Sequence, residues 1–400
     1  MFERIESRGV DNLLNLMQAF RADTRQHKVD LVVGVYKDEH GHVPVMQAVK
    51  GAERLLLERE DTKGYVGISG DREYRELAPG LVLGEERQRS VAERLACVQT
   101  PGGTGALKVA FDFLNSIDPG KRIWLSTPTW ANHVPLAEDA GLIVDRYPYF
   151  RPSDRGLDFE AMMSHLVAHS RAGDFILLHA CCHNPTGVDL SLDQWKIVTE
   201  FVVDRNLLPI VDCAYQGLGN GLDEDVAGLR YMVGKVPEML IASSFSKNFG
   251  IYRERTGALC VLTNTSGDLG QALQAVETVV RSNYSMPPSH GARIVATILR
   301  DAELRQAWES ELTQMRQRIA QLREDLLIRL QERHPAFDYS FLVEQRGMFS
   351  FTGLSPENVR KLKEDFGVYM AGDGRINVAG LSPANLDLVA DGFAQFQDWF

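Results

Sequence analysis

The sequence lacks long apolar runs, and this absence argues first against a membrane-spanning protein. Although 44% of the 400 residues are hydrophobic, no stretch approaches the roughly 18 consecutive apolar residues that a spanning helix needs. The first segment, 1–21, carries Glu3, Glu6 and Asp11 and has no continuous apolar core. We therefore do not expect it to be a signal peptide.

Cysteine and positive charge are also scarce. The five cysteines are an odd, scattered set, which favours reduced thiols in a cytoplasmic protein over a disulfide framework. Lys and Arg total 43 against 54 Asp and Glu, a formal net charge of −11. A nucleic-acid-binding protein would have a clustered positive excess instead. The composition therefore argues against a nucleic-acid-binding protein and leaves open a small-molecule enzyme.

The chain has no repeats, low-complexity tracts or long linkers, and its length exceeds what one hydrophobic core usually holds. Its middle part alternates short apolar runs with amphipathic stretches, which predicts an α/β fold with a mostly parallel sheet and helices on both faces. The predicted strands are 122–125, 142–144, 175–178, 207–211, 239–242 and 258–262, and the helices between them include 106–117, 159–169 and 192–205.

From about residue 306 the pattern changes to that of a smaller α+β domain. Apolar residues recur every three or four positions from Trp308 to Leu326, which predicts one long amphipathic helix running towards His334. We expect this helix to pack on its own domain and to connect it to the sheet. Short strands are predicted at 348–351 and 375–379, with helices at 356–366 and 383–400.

Polar segments follow four of the predicted strands. Ligands of an open parallel sheet bind beyond the carboxyl ends of its strands. The segments 126–133, 179–187, 212–217 and 243–248 bring a tryptophan, an asparagine, a carboxylate with a phenol, and hydroxyls with an amine to that edge. Their convergence predicts an active site there.

Single motifs are weaker than this convergence. Cys181-Cys182-His183 lacks the paired Cys-x-x-Cys spacing of a zinc site, so no metal is predicted. Ser244 and Lys247 match S-x-x-K, but the companion motifs S-D-N and K-T-G are missing. The glycine-rich segment 101–106 runs into a helix whose N-terminus is able to hold a phosphate, although such an entry is often only a turn.

Five dispersed motifs together resemble the fold-type I pyridoxal-phosphate (PLP) aminotransferases, in the aspartate and aromatic aminotransferase branch. They are SSFSKN at 243–248 with YRERTG at 252–257, HNPTG at 183–187, DCAY at 212–215, TWANH at 129–133 and RINVAG at 375–380. Their order and spacing match that branch over essentially the whole chain. The resemblance implies a seven-stranded type of sheet in a large PLP-binding domain at 45–313. It also implies a discontinuous small domain at 12–44 and 314–400 and an N-terminal arm at 1–11.

The same resemblance implies roles at the cofactor. Lys247 would bond to PLP covalently and shuttle the proton, since burial among cations lowers a lysine pKa from about 10.4. Asp212 would pair with the pyridine nitrogen, and Trp130 would stack on the ring. Tyr215 and Asn184 would hydrogen-bond the phenolic oxygen. The expected phosphate ligands are Gly103, Thr104, Ser244, Ser246, Arg255 and, lent by a partner subunit, Tyr65.

The histidines and the substrate groups complete the expected site. His133 and His179 resemble residues that support the aspartate, although a satisfied core histidine is nearly as good an interpretation of each. Arg375 resembles the arginine that clamps the substrate α-carboxylate, assisted by Asn184 and the backbone at Gly34. The remaining substrate-site residues are Arg281, which would come from the other subunit to take a distal carboxylate, and Phe349, which would lie beside the entry. The expected assembly is a homodimer with shared active sites.

Substrate choice is where the sequence departs from the branch's aspartate-preferring members. Lys37 is typical of those members. Val43, Gly64 and Met286, however, stand where the aspartate-preferring members tend to have polar residues that support the distal arginine. We therefore predict ping-pong transamination between Phe, Tyr, Trp or aspartate and 2-oxoglutarate, with Arg281 swinging away for aromatic rings. A strictly aspartate-specific aminotransferase, a PLP lyase or decarboxylase, and a non-catalytic PLP-fold regulator are the alternatives.

Overall fold

The computed structural model describes residues 12–396, so the predicted arm at 1–11 lies outside the described residues. The strands are β1 (Val29–Asp30), β2 (Leu95–Pro101), β3 (Arg122–Thr127), β4 (Ile143–Pro148), β5 (Phe150–Arg151), β6 (Gly156–Leu157), β7 (Phe175–His179), β8 (Leu208–Cys213), β9 (Met239–Ser244), β10 (Thr256–Leu262), β11 (Phe349–Phe351), β12 (Val368–Tyr369) and β13 (Arg375–Asn377). The helices are α1 (Asn12–Ala22), α2 (Gln47–Arg59), α3 (Arg72–Leu83), α4 (Glu85–Val91), α5 (Gly102–Ile117), α6 (His133–Asp139), α7 (Phe159–His169), α8 (Leu192–Asp204), α9 (Ala227–Val233), α10 (Leu269–Asn283), α11 (Ser289–Arg300), α12 (Ala302–Arg333), α13 (Phe341–Glu344), α14 (Pro356–Lys361) and α15 (Leu386–Ala394).

A seven-stranded sheet forms the centre of the fold, in the order β2-β10-β9-β8-β7-β3-β4. β10 runs antiparallel to both neighbours, and the other pairings are parallel. Along β3, Ile123 and Leu125 belong to one buried apolar cluster and Trp124 to the other. Both faces of the sheet are therefore covered, which confirms the predicted α/β layers.

All six predicted strands of the sheet are present, but sequence reasoning missed β2. Near its end, this strand contains Gln99 and Thr100, which are fully buried although polar. The Gln99 amide donates to Pro288 O at 2.7 Å and accepts from Asp71 N at 2.9 Å. Because these bonds satisfy the Gln99 side chain, a polar residue is tolerated inside this buried strand. The sequence of β2 is therefore not a continuous apolar run, and the strand was not recognised.

The C-terminal part matches its prediction in outline, but the strand predicted at 375–379 ends at Asn377, and β12 and α13 were not predicted. The apolar stripe of α12 is buried as expected, but the helix begins at residue 302 because the Asp301 carboxylate accepts from the N–H groups of Glu303 and Leu304. The last helix was predicted at 383–400, and this start is wrong. α15 begins at Leu386 because Asn385 Oδ1 accepts from Ser382 N at 2.8 Å and closes a turn.

Two distant parts of the chain pack together as the smaller unit. β1 pairs in parallel with β12, and Asn377 Nδ2 donates to Val33 O at 2.6 Å and Val35 O at 2.8 Å. These contacts support a discontinuous small domain, while the boundaries at 44 and 314 stay a prediction. Within residues 12–396, no helix has the length and apolar character needed to cross a bilayer.

Candidate active site

A cavity of about 150 Å³ lies at the carboxyl ends of β8 and β9. Every residue predicted to bind the cofactor lines it except Tyr65. The lining residues are Gly103, Thr104, Leu107, Trp130, Asn184, Asp212, Ala214, Tyr215, Ser244, Ser246, Lys247, Tyr252 and Arg255. Sequence reasoning gave no role to Leu107, Ala214 and Tyr252, although the last two lie inside quoted motifs.

The N-terminus of α5 forms one wall of this cavity. Gly102 has a φ of +74°, and a Cβ on it would lie 2.5 Å from Arg255 Nη2. A Cβ on Gly103 would lie 3.0 Å from the Ser244 Cβ. Glycine is therefore needed for the helix N-terminus to approach the guanidinium and the hydroxyl. N–H groups, a hydroxyl and a cation together suit a phosphate group.

Asp212, the second-last residue of β8, is a buried carboxylate. His133 Nε2 donates to its Oδ2 at 3.1 Å, and Thr129 Oγ1 lies 2.8 Å from His133 Nδ1. Burial raises the pKa of Asp212, but the hydrogen bond from His133 and the nearby cationic groups outweigh it and hold the pKa below its ordinary value. The carboxylate is consequently ionised at neutral pH.

The His179 ring packs beside His133, with centroids 5.2 Å apart. Burial and the neighbouring His133 lower the pKa of His179 to about 3, so its imidazole is neutral. Its Nδ1 accepts from Asn184 N at 3.4 Å. Both predicted supporting histidines therefore lie around Asp212.

Lys247 follows β9 and is partly buried. Its Nζ lies 4.9 Å from the centroid of the Tyr215 ring. Burial lowers the pKa of Lys247 to about 8, with a further contribution from Arg255, while Asp212 opposes the change. Burial raises the pKa of Tyr215, whose hydroxyl accepts from Asn184 Nδ2 at 3.3 Å. An amine that titrates near neutrality therefore lies beside a neutral phenol.

Arg375 lies on β13 with 8% of its surface exposed. Its Nη1 donates to Asn184 Oδ1 at 3.4 Å and its Nη2 to Val32 O at 3.1 Å, and its Nε has no partner among the described residues. Its guanidinium lies 4.3 Å from the centroid of the Phe349 ring. A buried cation without an anionic partner is costly, and an incoming carboxylate would neutralise it.

Gly34 allows Phe349 to reach this position, since a Cβ on Gly34 would lie 2.7 Å from the Phe349 ring. Tyr65 is 92% exposed. Arg281 is exposed as well, and it donates to the Ser285 hydroxyl. Neither Tyr65 nor Arg281 lines the cavity of its own chain.

The specificity residues are also away from the cavity lining. Lys37 Nζ forms a 2.9 Å ion pair with Asp30. Val43 is 46% exposed, Gly64 is exposed and Met286 is partly buried.

The Cys181-Cys182-His183 segment does not form a metal site from these three residues. Both thiols approach Asp225 instead, with the three possible ligand atoms within 4.8 Å of one another. The Asp225 carboxylate already accepts four backbone N–H groups between residues 217 and 221. His183 is engaged by the hydroxyls of Ser126 at 3.0 Å and Thr186 at 2.8 Å. The prediction of no metal stays a prediction.

Comparison with known proteins assigns the family. The model of the family "Aminotransferase class I and II" matches residues 26–393. The chain is 46% identical to the aspartate aminotransferase of Escherichia coli (strain K12) over 386 residues, covering 96% of this chain and 97% of the relative. It is also 46% identical to the aromatic-amino-acid aminotransferase of Paracoccus denitrificans over 390 residues, 98% of each chain.

A solved structure agrees with these relatives. The aromatic-amino-acid aminotransferase of Burkholderia pseudomallei, covalently bound to pyridoxal phosphate, has a TM-score of 0.96 and 42% identity, covering 99% of both chains. The chain belongs to the class I and II aminotransferase family. The predicted family, fold and enzyme class are confirmed.

Proposed function

We propose that this protein is a PLP-dependent aminotransferase that moves an amino group between aspartate or an aromatic amino acid and 2-oxoglutarate. The observation that carries the proposal is the cavity in which Lys247, with a pKa near 8, lies with the ionised Asp212. The cofactor assignment is supported by the family and by the PLP-bound relative.

The residues of the cavity fit PLP chemically. The wall formed by Gly102, Gly103, Ser244 and Arg255 would hold its phosphate, and Asp212 would pair with its ring nitrogen. When bound, PLP supplies an electron sink for negative charge at the substrate α-carbon. A neutral residue in place of Asp212 would leave that nitrogen without a charged partner.

Lys247 would move the proton. Because its pKa is lowered to about 8, Nζ is able both to accept and to return a proton near neutral pH, as a general base and acid must. Tyr215 and Asn184 would hold the cofactor oxygen, and Trp130 would cover the ring. His133 would keep the Asp212 carboxylate in place through the 3.1 Å hydrogen bond.

Arg375 would bind the substrate α-carboxylate with Asn184 and the backbone at Gly34. Its unpartnered Nε and its lack of an anionic partner among the described residues support this role. A planar guanidinium holds a carboxylate through two parallel N–H bonds, which a lysine is unable to reproduce. The clamp would orient the α-carbon towards Lys247.

The substrate side chain would be selected by Arg281 from the second subunit of a homodimer. Arg281 is exposed, and the hydrogen bond recorded for it goes to the Ser285 hydroxyl. Since it has no carboxylate partner among residues 12–396, it would be free to take a distal carboxylate or to swing out for an aromatic ring. An aspartate aminotransferase and an aromatic-amino-acid aminotransferase are each 46% identical to this chain, so overall similarity does not decide between the two substrates. The proposal of dual specificity therefore depends on Arg281.

The dimer proposal is supported by the same exposure. Tyr65 and Arg281 are exposed in a single chain, which leaves them available to a partner's cavity. A mixture of Lys247→Ala and Tyr65→Ala proteins, refolded together, should recover activity that neither variant has alone, since one site of each hybrid is intact. No recovery would contradict the shared site. Five free, buried cysteines support the accompanying proposal of a cytoplasmic protein.

The decisive measurement is a half-reaction titration. The PLP form is mixed with aspartate or phenylalanine separately, and the cofactor absorbance is followed. We expect both amino acids to convert the cofactor and release their oxo acids, and Lys247→Ala to abolish conversion, while Lys235→Ala, at an exposed lysine, leaves it unchanged. Conversion by aspartate alone would establish the strictly aspartate-specific alternative, and release of CO2 without conversion of the cofactor or formation of an oxo acid would establish a decarboxylase.

The role of Arg281 has its own test. Arg281→Gln should weaken aspartate binding by about 10- to 100-fold, the loss of one charged hydrogen-bonding partner at about 1.5–3 kcal/mol. Phenylalanine conversion should be retained. Arg300→Gln, at an exposed arginine paired with Glu73, is the matched control. Equal losses for both substrates would contradict the specificity role.

A further inference from the structure

A second cavity, of about 240 Å³, lies between α12, the loop after β8 and the turn after α13. It shares no lining residue with the proposed PLP cavity, and the transamination roles above make no use of it. Three arginines from two parts of the chain line it, namely Arg316, Arg323 and Arg346.

Arg323 is the deepest of these cations, with 4% of its surface exposed. Its Nη1 donates to Leu342 O at 2.7 Å, and its Nη2 to Gly347 O at 2.8 Å and Phe349 O at 2.5 Å. Its Nε is buried without a partner among the described residues. The guanidinium is thus solvated by neutral carbonyl groups but its charge is not balanced.

The other two arginines are likewise bonded to neutral groups. Arg316 Nη1 donates to Gly217 O at 3.2 Å, and Arg346 Nε donates to Asn220 Oδ1 at 3.0 Å. Within residues 12–396, no ion pair is recorded for any of the three. On the same long helix, the arginines that do pair with carboxylates are Arg305, Arg329 and Arg333. Arg318, on the same helix but outside the cavity lining, is also bonded to carbonyl groups, so what distinguishes this cavity is that three such arginines line it together.

The charge of the residues that line this cavity indicates what kind of ligand it would bind. Three arginines and one carboxylate, the exposed Glu324, line the cavity, which leaves two positive charges in excess. Burial is the main cause that lowers the pKa of Arg323 to about 9; repulsion from Arg346 acts in the same direction, while Cys182 and Asp189 oppose it. A charge-assisted contact to an oxyanion would relieve this repulsion.

We propose that this cavity binds a compact dianionic oxyanion of the size of sulfate or phosphate. Arg323 also holds the carbonyls of Gly347 and Phe349, and the Phe349 ring contacts both Arg375 and Tyr215. An anion that neutralises Arg323 and Arg346 would stabilise this segment without replacing its carbonyl bonds. The ligand would consequently stabilise the fold next to the active site.

The test is calorimetric titration of the PLP-saturated protein with sodium sulfate, and separately with phosphate, at constant ionic strength in chloride. Arg316→Gln and Arg346→Gln should each weaken sulfate binding about tenfold or more. Glu324→Gln, at an exposed position, should tighten it because it removes the one negative charge of the lining. Arg305→Gln, on the same helix outside the cavity, should leave it unchanged.

The proposal thus predicts a lower sulfate affinity for Arg316→Gln and Arg346→Gln and a higher sulfate affinity for Glu324→Gln. If sulfate or phosphate instead bound at the active-site arginines, its affinity would be the same in all three cavity variants as in the unaltered protein. That result would overturn the proposal. Sulfate binding without phosphate binding, or the reverse, would identify which oxyanion the site accepts. If Arg346→Gln lowers the helical circular dichroism, Arg316→Gln and Glu324→Gln decide the outcome. Unmeasurable binding to the unaltered protein would also refute it.

Discussion

Replacing Lys247 by Met should stabilise the cofactor-free protein although it abolishes activity. Lys247 is a partly buried amine whose pKa is lowered to about 8, mainly by burial. At pH 7 the folded chain must therefore keep a charge in a place that disfavours it. Methionine has a similar length and no charge, so the substitution removes this cost without leaving a large cavity.

The magnitude follows from the two pKa values. The pKa of Lys247 is about 8 in the folded chain and ordinarily 10.5. At about 1.4 kcal/mol per pKa unit, the charged amine lowers the free energy of unfolding by about 3 kcal/mol. Between these two pH values the unfolded chain binds more protons than the folded one, so the stability contributed by Lys247 rises with pH. The advantage of Lys247→Met should therefore be full below pH 8 and vanish by about pH 10.5.

The measurement is urea unfolding of both cofactor-free proteins at pH 7 and pH 10, at one fixed protomer concentration because an oligomer's stability depends on it. The difference between the two proteins isolates this residue, since other groups titrate alike in both. Met at Lys235, an exposed lysine, is the control and should change little. A variant less stable than the original at pH 7, or an advantage that grows with pH, would refute the reasoning.

Three further changes test other parts of the site. Asp212→Asn should lower the pKa of Lys247 below about 8, since the carboxylate opposes the lowering; the pH dependence of labelling of the cofactor-free lysine by an amine reagent reports it, and a raised pKa would contradict the pairing. Arg375→Lys should raise the amino acid Kd about 10- to 100-fold, because charged hydrogen bonds contribute about 1.5–3 kcal/mol each, and the half-reaction titration measures it. Gly102→Ala should weaken PLP binding in equilibrium dialysis, because a residue with a Cβ is strained at its φ of +74° and the Cβ, 2.5 Å from Arg255 Nη2, would displace that guanidinium; unchanged affinity would show that the helix entry does not hold the phosphate.

Part of the candidate site could be predicted because several of its polar residues lie at or just after the end of a strand buried on both faces. Asp212 directly follows the apolar residues 208–211, and Lys247 comes shortly after Met239–Ser244. An apolar run that ends in a charged residue is visible in the sequence without knowledge of packing. The strand order then brings these ends together, since β8 and β9 are neighbours.

The features that were missed depend on contacts between distant parts of the chain. β2 was not recognised because its buried Gln99 is satisfied by Pro288 O and Asp71 N, and neither partner is near it in sequence. Tyr252 lines the cavity, and its hydroxyl accepts from Tyr36 N at 2.8 Å. Such partners are set by tertiary packing, which local patterns do not encode.

The protein has a net charge of −11, yet buried arginines make the surroundings of its two cavities positive. Screening by salt explains how both can hold. A charge on the surface is screened within about 8–10 Å at physiological ionic strength, so the acidic exterior does not set the field inside a cleft. Arg375 and Arg323 are both more than nine-tenths buried, and the recorded hydrogen-bond acceptors of both are neutral oxygen atoms. Neutral oxygens solvate a guanidinium but leave its charge in place, whereas a bound anion cancels it. Arg375 contacts Asn184 in the lining of the first cavity, and Arg323 lines the second. Both places should therefore attract anions despite the acidic surface, the first as the proposed substrate site and the second as the proposed oxyanion site, and the second attraction should persist when the first is filled.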